Sequence, residues 1–295
     1  MPHIPVLLKE VIQYLDPKPG DKIIDATFSG GGHSLAILEK TVPEGKVLGI
    51  EWDEELFKKA EEKFSSLKNL VLANGNFRDL KKIAEENGFD KADGILIDLG
   101  MSSWHLEESK RGFSFRRDEP LDMRYSESES LTAREIVNQW PPEAIQKILE
   151  DYGEEKFARQ ISKAIVEQRK KKSIISTFQL VEAIKSAVPI WYKSGRRIHF
   201  ATKTFQALRI AVNDELNNIV SVLDAMNQVL AAGGRGVVIS FHSLEDRIVK
   251  NKFKDFEKAG IGRILTKKPV QPAFQEIKLN PRCRSAKMRV IEKVQ

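Results

Sequence analysis

A doubly wound α/β sheet interrupted by a helical insertion is the fold that this sequence predicts. Three observations carry it. Short β-branched runs alternate with helix-period segments from Lys22 to Gly100. From Thr132 to Pro189 the periodicity is helical only, and strand logic then returns at GGRGVVISF, Gly233–Phe241.

Taken in order, Val6, Leu7, Leu8, Val11, Ile12 and Leu15 fall at helical spacing before Pro17, Pro19 and Gly20 break the chain. Ile23–Asp25 is the first strand. Its exit runs through ATFS into three consecutive glycines, Gly30, Gly31 and Gly32, and His33 and Ser34 open a helix to about Lys40. Strand, glycine turn and helix form the shape that lets backbone amides approach a ligand at a helix N-terminus. KVLGIE, Lys46–Glu51, is a second strand, and Asp53 is a good N-cap for a helix from Glu54 to about Ser65. Leu70–Ala73 is a third strand, Leu80–Asn87 a helix stopped by Gly88, and GILIDLG, Gly94–Gly100, a fourth strand. Trp104–Tyr125 reads as a polar, aromatic and basic loop. One long helix is expected from about Thr202 to Leu230, another from Leu244 to Ala259, and a β-rich tail closes the chain. The economical division is a discontinuous α/β domain, 1–104 with 200–295, around a mainly helical insertion, 105–199.

Composition narrows the function classes. A charged fraction of 31% with 41% hydrophobic residues fits a folded globular protein and excludes a disordered one. No apolar run is long enough to cross a bilayer and the N-terminus lacks a signal-peptide layout, so a cytoplasmic protein without a membrane partner is expected. Cys283 is the single cysteine, which excludes an internal disulfide and a cysteine-built zinc site. With five histidines and no pair at ligand spacing, no metal is expected. A net charge of +6 permits a polyanionic partner without requiring one.

In open parallel sheets, ligands sit beyond the carboxyl ends of the strands. Asp25 and the glycines, Glu51, Asn76 with Phe77, and Asp98 occupy those four exits. A strand-terminal carboxylate some 20 residues past the glycine turn is placed to accept from ribose hydroxyls. Glu51 is that residue, with Asp53 as a rival whose plainer role is helix capping. A dinucleotide fingerprint would need a third glycine where Leu35 stands, which disfavours a nicotinamide-dependent oxidoreductase. The looser acidic and small-residue turn fits S-adenosylmethionine, which has no pyrophosphate to cradle. Phe77 could face the adenine or simply fill the core. At the fourth exit, Asp98-Leu99-Gly100-Met101-Ser102-Ser103 offers acceptors that would hold an exocyclic amine in line with a sulfonium methyl. Asp98 could fill that role or hold the cofactor; Ser102 is either a catalytic contact or a turn former. Arginines interleaved with aromatics suit single-stranded RNA. That reading nominates Arg111, Phe113, Arg116, Arg117, Arg124, Lys203, Arg209 and His242, with Phe113 alternatively a plug between segments.

Several long motifs, in one order over essentially the whole chain, resemble the RsmH (MraW) family of ribosomal RNA methyltransferases. They are HIPVLLKE, DATFSGGGHS, GILIDLGMSS, RGFSFRRDEPLDMR, YGEEKFARQISKAIV, TKTFQALRIAVNDEL, GGRGVVISFHSLEDRIVK and NPRCRSAKMRV. The resemblance implies a Rossmann-like class I methyltransferase fold with an inserted helical domain. It further implies N4-methylation of a cytidine in the decoding region of 16S ribosomal RNA, with the RNA or the 30S subunit as partner. Carried over position by position, it assigns S-adenosylmethionine contacts to Gly31, Gly32, His33, Glu51, Phe77, Asp98 and His105. Glu51 stands where many relatives have Asp, and Lys203 where the usual residue is Arg, which loses a bidentate phosphate contact. A homodimer stays open. The rivals are a methyltransferase for a small molecule or protein, and a non-catalytic ribosome-assembly factor that kept the fold.

Overall fold

The computed structural model describes residues 5–194 and 198–294. His3, which opens one of the quoted motifs, lies outside the described residues. The chain divides into two compact units, Met1–Gly100 with Leu216–Gln295, and Met101–Glu215.

The first unit is built on a seven-stranded sheet in the order β3-β2-β1-β4-β5-β7-β6. Helix α1 spans Leu8–Leu15, and its buried Val11 and Leu15 follow the predicted stripe. Then come β1 (Lys22–Asp25), α2 (Gly32–Thr41), β2 (Lys46–Glu51), α3 (Glu54–Phe64), β3 (Leu70–Asn74), α4 (Leu80–Glu86) and β4 (Ala92–Asp98). β1 pairs parallel with both β2 and β4, and β2 with β3. Near-continuous burial along β1, β2 and β4 is what helices on both sheet faces require, and it explains why these strands read as unbroken apolar runs. The sheet order reverses beside β1, so the exits of β1 and β4 flank the switch point where α/β sheets bind ligands.

The second unit is helical, as the periodicity required. It contains α5 (Ser103–Glu107), α6 (Ala133–Gln139), α7 (Pro142–Asp151), α8 (Ala158–Lys171), α9 (Thr177–Ala187), α10 (Ile190–Lys193) and α11 (Thr202–Asn213). Its own apolar core joins Ile145, Leu149, Ile161, Ile165, Leu180 and Ile184 to Phe205 and Leu208 of α11. Burial of those α11 residues keeps the segment after Thr202 with this unit, so the chain returns to the first unit at Leu216, later than the expected boundary near Phe200.

The expected single helix from Thr202 to Leu230 is two helices. Asp214 adopts φ +50° and ends α11, after which α12 runs Glu215–Val229. The break has a tertiary cause. Asn213 turns its side chain inward, donating to the carbonyls of Met123 (2.7 Å) and Arg209 (3.0 Å) and accepting from the Tyr125 amide (2.8 Å). An aspartate tolerates the left-handed conformation that follows better than most residues do.

The sheet is completed by β5 (Leu230–Ser240), α13 (Ser243–Lys258), β6 (Gly262–Ile264), α14 (Phe274–Leu279) and β7 (Lys287–Lys293). β5 continues the parallel run beside β4, whereas β7 is antiparallel to β5 and β6 to β7.

Candidate active site

The glycine turn is held from both sides. Asp25, fully buried at the end of β1, accepts from the Ser34 hydroxyl (2.7 Å) and the Thr27 amide (3.2 Å). Burial pushes its carboxyl up, against a smaller downward pull from His33 and Ser34. Asp25 thus ties the strand to the first turn of α2. Ser29 and Gly31 take positive φ, +48° and +76°, and Gly31 caps α2. A Cβ on Gly31 would also sit 2.8 Å from the Phe28 ring, and one on Gly32 would sit 2.4 Å from Pro5. These two glycines are therefore required by backbone shape and close packing, and they leave the N-terminal amides of α2 uncovered by side chains of their own.

Glu51 locks the turn to the second strand. Its two carboxylate oxygens accept from the amides of Ser29 and Asp53, each at 2.9 Å. Burial dominates over those bonds and pushes its pKa up to about 7. Asp53 is spoken for, because its Oδ1 accepts from Glu55 and Leu56 at 2.9 and 3.1 Å and so caps α3. Of the two acidic rivals, Glu51 alone keeps a carboxylate at the strand exit.

The third exit adds a residue that composition could not rank. Asn76 caps the short 3₁₀ turn Phe77–Asp79 by accepting from Arg78 (2.9 Å), while its buried Nδ2 has no hydrogen-bond partner among the described residues. Phe77 is half-buried, edge-on to Trp52 with centroids 6.4 Å apart.

At the fourth exit the Asp98 amide donates to Thr27 Oγ1 (2.7 Å), joining the ends of β1 and β4. Asp98 Oδ1 accepts from Gly100 (3.2 Å), and Oδ2 lies 3.7 Å from His33 Nε2, beyond hydrogen-bond length. Both ring nitrogens of His33 are buried without a hydrogen-bond partner among the described residues. Phe241 backs the turn so closely that a Cβ on Gly100 would meet its ring at 2.7 Å, and the Leu99 amide donates to Ile239 (2.9 Å). The first unit thus gathers Gly31, Gly32, His33, Glu51, Phe77 and Asp98 at the exits of four adjacent strands. Thr27, Ser34 and Phe241 escaped sequence reasoning because a hydroxyl or ring that braces a turn has no spacing signature.

The remaining nominated residues have other work. His242 caps α13 through a capping box, its Nδ1 facing the Glu245 amide and the buried Glu245 carboxylate accepting from Phe241 and His242. In the second unit Ser102 caps α5 by accepting from Trp104 (3.2 Å). His105 is buried among Trp104, Phe113 and Tyr125, with centroids 5.0–5.2 Å away. Phe113 is a core ring stacked on Tyr125, so both of its neighbours are protein rather than bases. Arg111 is buried, donates to the Tyr125 carbonyl (2.9 Å) and lies over Trp104. Arg124 grips both oxygens of Asp122 at 2.8 Å; burial alone would push that carboxyl up, but these bonds outweigh it and hold it below the usual range. Arg209 is a bidentate partner of Glu215 (2.7 and 2.8 Å), and Lys203 donates to the Glu154 carbonyl (2.6 Å). Arg117 donates to the Glu107 carbonyl (2.6 Å) from an exposed position, and Arg116 is exposed with its guanidinium unengaged among the described residues.

The family model of the MraW methylase family matches residues 1–294. The chain belongs to the MraW methylase family. It is 48% identical over 295 residues to the ribosomal RNA small subunit methyltransferase H of Dictyoglomus thermophilum, covering 99% of this chain and 96% of that one. It is 44% identical over 294 residues to the protein of the same name from Kosmotoga olearia, with 99% and 97% coverage. A Clostridium botulinum relative of that name is 43% identical over 307 residues, with 99% of each chain covered. This member of the family is a methyltransferase whose methyl donor is S-adenosylmethionine. The rim suits such a group. A buried carboxylate at the β2 exit matches ribose hydroxyls, and the nitrogens of His33 and Asn76 that have no partner among the described residues are polar atoms that a ligand would satisfy.

Proposed function

We propose that this methyltransferase methylates the N4 amine of a cytidine in the decoding region of 16S ribosomal RNA, using Asp98 as the acceptor that orients that amine. One observation carries the reading. Asp98 Oδ2 is a carboxylate oxygen with no hydrogen bond among the described residues, on a turn braced by Thr27, Ile239 and Phe241, at the switch point of the sheet.

When bound, S-adenosylmethionine supplies an electrophilic methyl on a sulfonium. The amides opening α2, Glu51 and Phe77 would hold its methionine end, ribose and adenine respectively. A cytosine amine is a poor nucleophile because its lone pair is delocalised into the ring. An acceptor on one of its N–H groups favours the pyramidal form and aims the lone pair. Asp98 needs no prior proton abstraction, since the nitrogen becomes acidic only as its new bond to carbon forms. The proton then leaves to Asp98 or water. The relatives' names support a small-subunit ribosomal RNA substrate, and the helical unit, with Arg116 and Arg117 outward, holds the flanking RNA.

The deciding experiment incubates the protein with labelled S-adenosylmethionine and either free 16S RNA or 30S particles, then maps the labelled base. Label on a cytosine N4 that disappears in Asp98→Ala supports the reading. Label on another atom, or in an extract stripped of RNA, removes it.

A further inference from the structure

At the sheet edge formed by β7 and β6, α13 and the β6–β7 pair enclose a cleft of about 300 Å³. Lys250 and Lys254 border it from the helix and Lys267 from the segment after β6. All three are exposed, and none forms an ion pair or hydrogen bond among the described residues. Several lysines elsewhere on the surface are paired within their own helices. Lys59, Lys82, Lys147, Lys170 and Lys185 each face a carboxylate three or four positions away on the same helix.

The arrangement is unfavourable for the protein alone. Lys250 and Lys254 are an i,i+4 like-charge pair, which a helix tolerates at a cost of a few tenths of a kcal/mol. The acidic residue in the cleft, Glu257, has one carboxylate oxygen accepting from the Ile264 amide (3.2 Å). Arg289 in the wall is neutralised by Asp246 (2.7 and 3.3 Å). Three lysines against one carboxylate leave the cleft an excess of two positive charges. Its apolar floor, Phe253, is 1% exposed and offers no ring face for stacking.

Register connects the cleft to the rim. Asp98 lies opposite Ile239, Ile239 opposite Met288, and Val270 bonds both ways with Met288 at 2.9 Å. Because β7 is antiparallel, the segment Thr266–Val270 runs back towards the exit of β5. At about 4.8 Å per strand, it reaches the rim roughly 15 Å from Asp98.

We propose that this cleft binds the phosphodiester backbone of the substrate RNA, a few nucleotides from the methylated base, through Lys250, Lys254 and Lys267. The inference rests on the RNA substrate proposed above. Ammonium groups without a stacking ring contact phosphate and not bases, so the contribution is independent of sequence.

The test measures RNA affinity against salt concentration for the full chain with its cofactor, using a 16S fragment that spans the modified site. The triple variant Lys250→Ala, Lys254→Ala, Lys267→Ala is compared with a control triple at exposed positions on other helices, Lys40→Ala, Lys58→Ala, Lys81→Ala. Three lost contacts, each worth roughly 0.7 in the log–log slope for a single strand, predict a slope shallower by about 2 in the cleft variant alone. Cofactor affinity by calorimetry stays at the parental value. A cleft variant with the parental slope overturns the proposal while leaving RNA methylation intact. Equal loss in both triples overturns it as well, by showing that net charge is responsible. A parent that binds no RNA removes the substrate reading and the cleft together.

Discussion

The rim of the sheet and the arginine-aromatic loop of the helical unit both gather polar side chains, and the fold treats them oppositely. At the rim, Asp98 Oδ2, both nitrogens of His33 and Nδ2 of Asn76 are left without hydrogen bonds among the described residues. In the loop, Arg111 and Arg124 donate to backbone carbonyls of the same unit, Arg124 clamps Asp122, and Phe113 stacks inside a core. Buried polar groups are normally satisfied within the protein. A cluster that is not satisfied marks where a ligand belongs, and a side chain that the fold satisfies is architecture even when the sequence around it resembles a nucleic-acid surface.

The sharpest way to break this comparison is at Asp98. Asp98→Ala removes an oriented acceptor, and we expect methyl transfer to fall by about 10²- to 10⁴-fold in single turnovers on 30S particles. Thermal stability should move little, since the lost Gly100 bond is a long one. A variant that keeps parental rates would mean that the free oxygen has no part in the reaction.

The same logic predicts damage of another kind in the loop. Phe113→Ala empties a core position and should lower stability by about 3–5 kcal/mol, read as the urea midpoint. Phe113→Leu keeps most of that volume, and its methylation rate should stay close to the parent's. A Leu variant that is stable yet inactive on RNA would return Phe113 to the substrate surface.

How much of this was legible in the sequence follows from the same contrast. The β-α alternation, the glycine turn and the acidic strand ends were readable because period and spacing depend on the backbone alone. Asp53 resolved into a helix cap as its position beside Glu54 allowed. The break at Asp214 was not readable, because its cause, Asn213 reaching the carbonyl of Met123, joins residues 90 apart in the chain. The burial of Arg111 and Phe113 was hidden for the same reason, and the tethering of Arg124 to Asp122 was not readable either. An arginine that meets a phosphate and one that meets a carbonyl have identical neighbours in sequence, and tertiary contacts alone distinguish them.

Glu51 offers a finer test at the rim, through pH. Its folded pKa of about 7 lies above the ordinary value of 4.5, so between those two values the folded state holds a proton that the unfolded chain has released. This group's contribution is undiminished below pH 4.5, and stability falls as pH rises to 7, by at most about 3 kcal/mol. Ribose hydroxyls donating to the ionised carboxylate reverse the preference in the complex. S-Adenosylmethionine affinity should therefore rise from pH 5.5 and level off above 7. Calorimetry in buffers of different ionisation enthalpy should show protons released on binding at pH 6. Affinity that is flat over that range, with no proton release, would put the ribose elsewhere.

The smallest expected effect is also the one that separates the loop's two kinds of arginine. Arg116 is exposed and its guanidinium makes no contact among the described residues, whereas Arg124 is tied to Asp122 and to the carbonyls of Glu127 and Glu129. Arg124→Ala should therefore unfold at lower urea, leaving two carbonyls without that donor and the Asp122 carboxylate with only the amide of residue 124. Arg116→Ala should leave the urea midpoint within about 0.5 kcal/mol of the parent, because it removes nothing that the folded chain uses. If Arg116 meets a phosphate, the salt slope of RNA binding should drop by about 0.7. An unchanged slope would confine the loop to architecture altogether, and RNA contact by the helical unit would then have to come from cations on other elements.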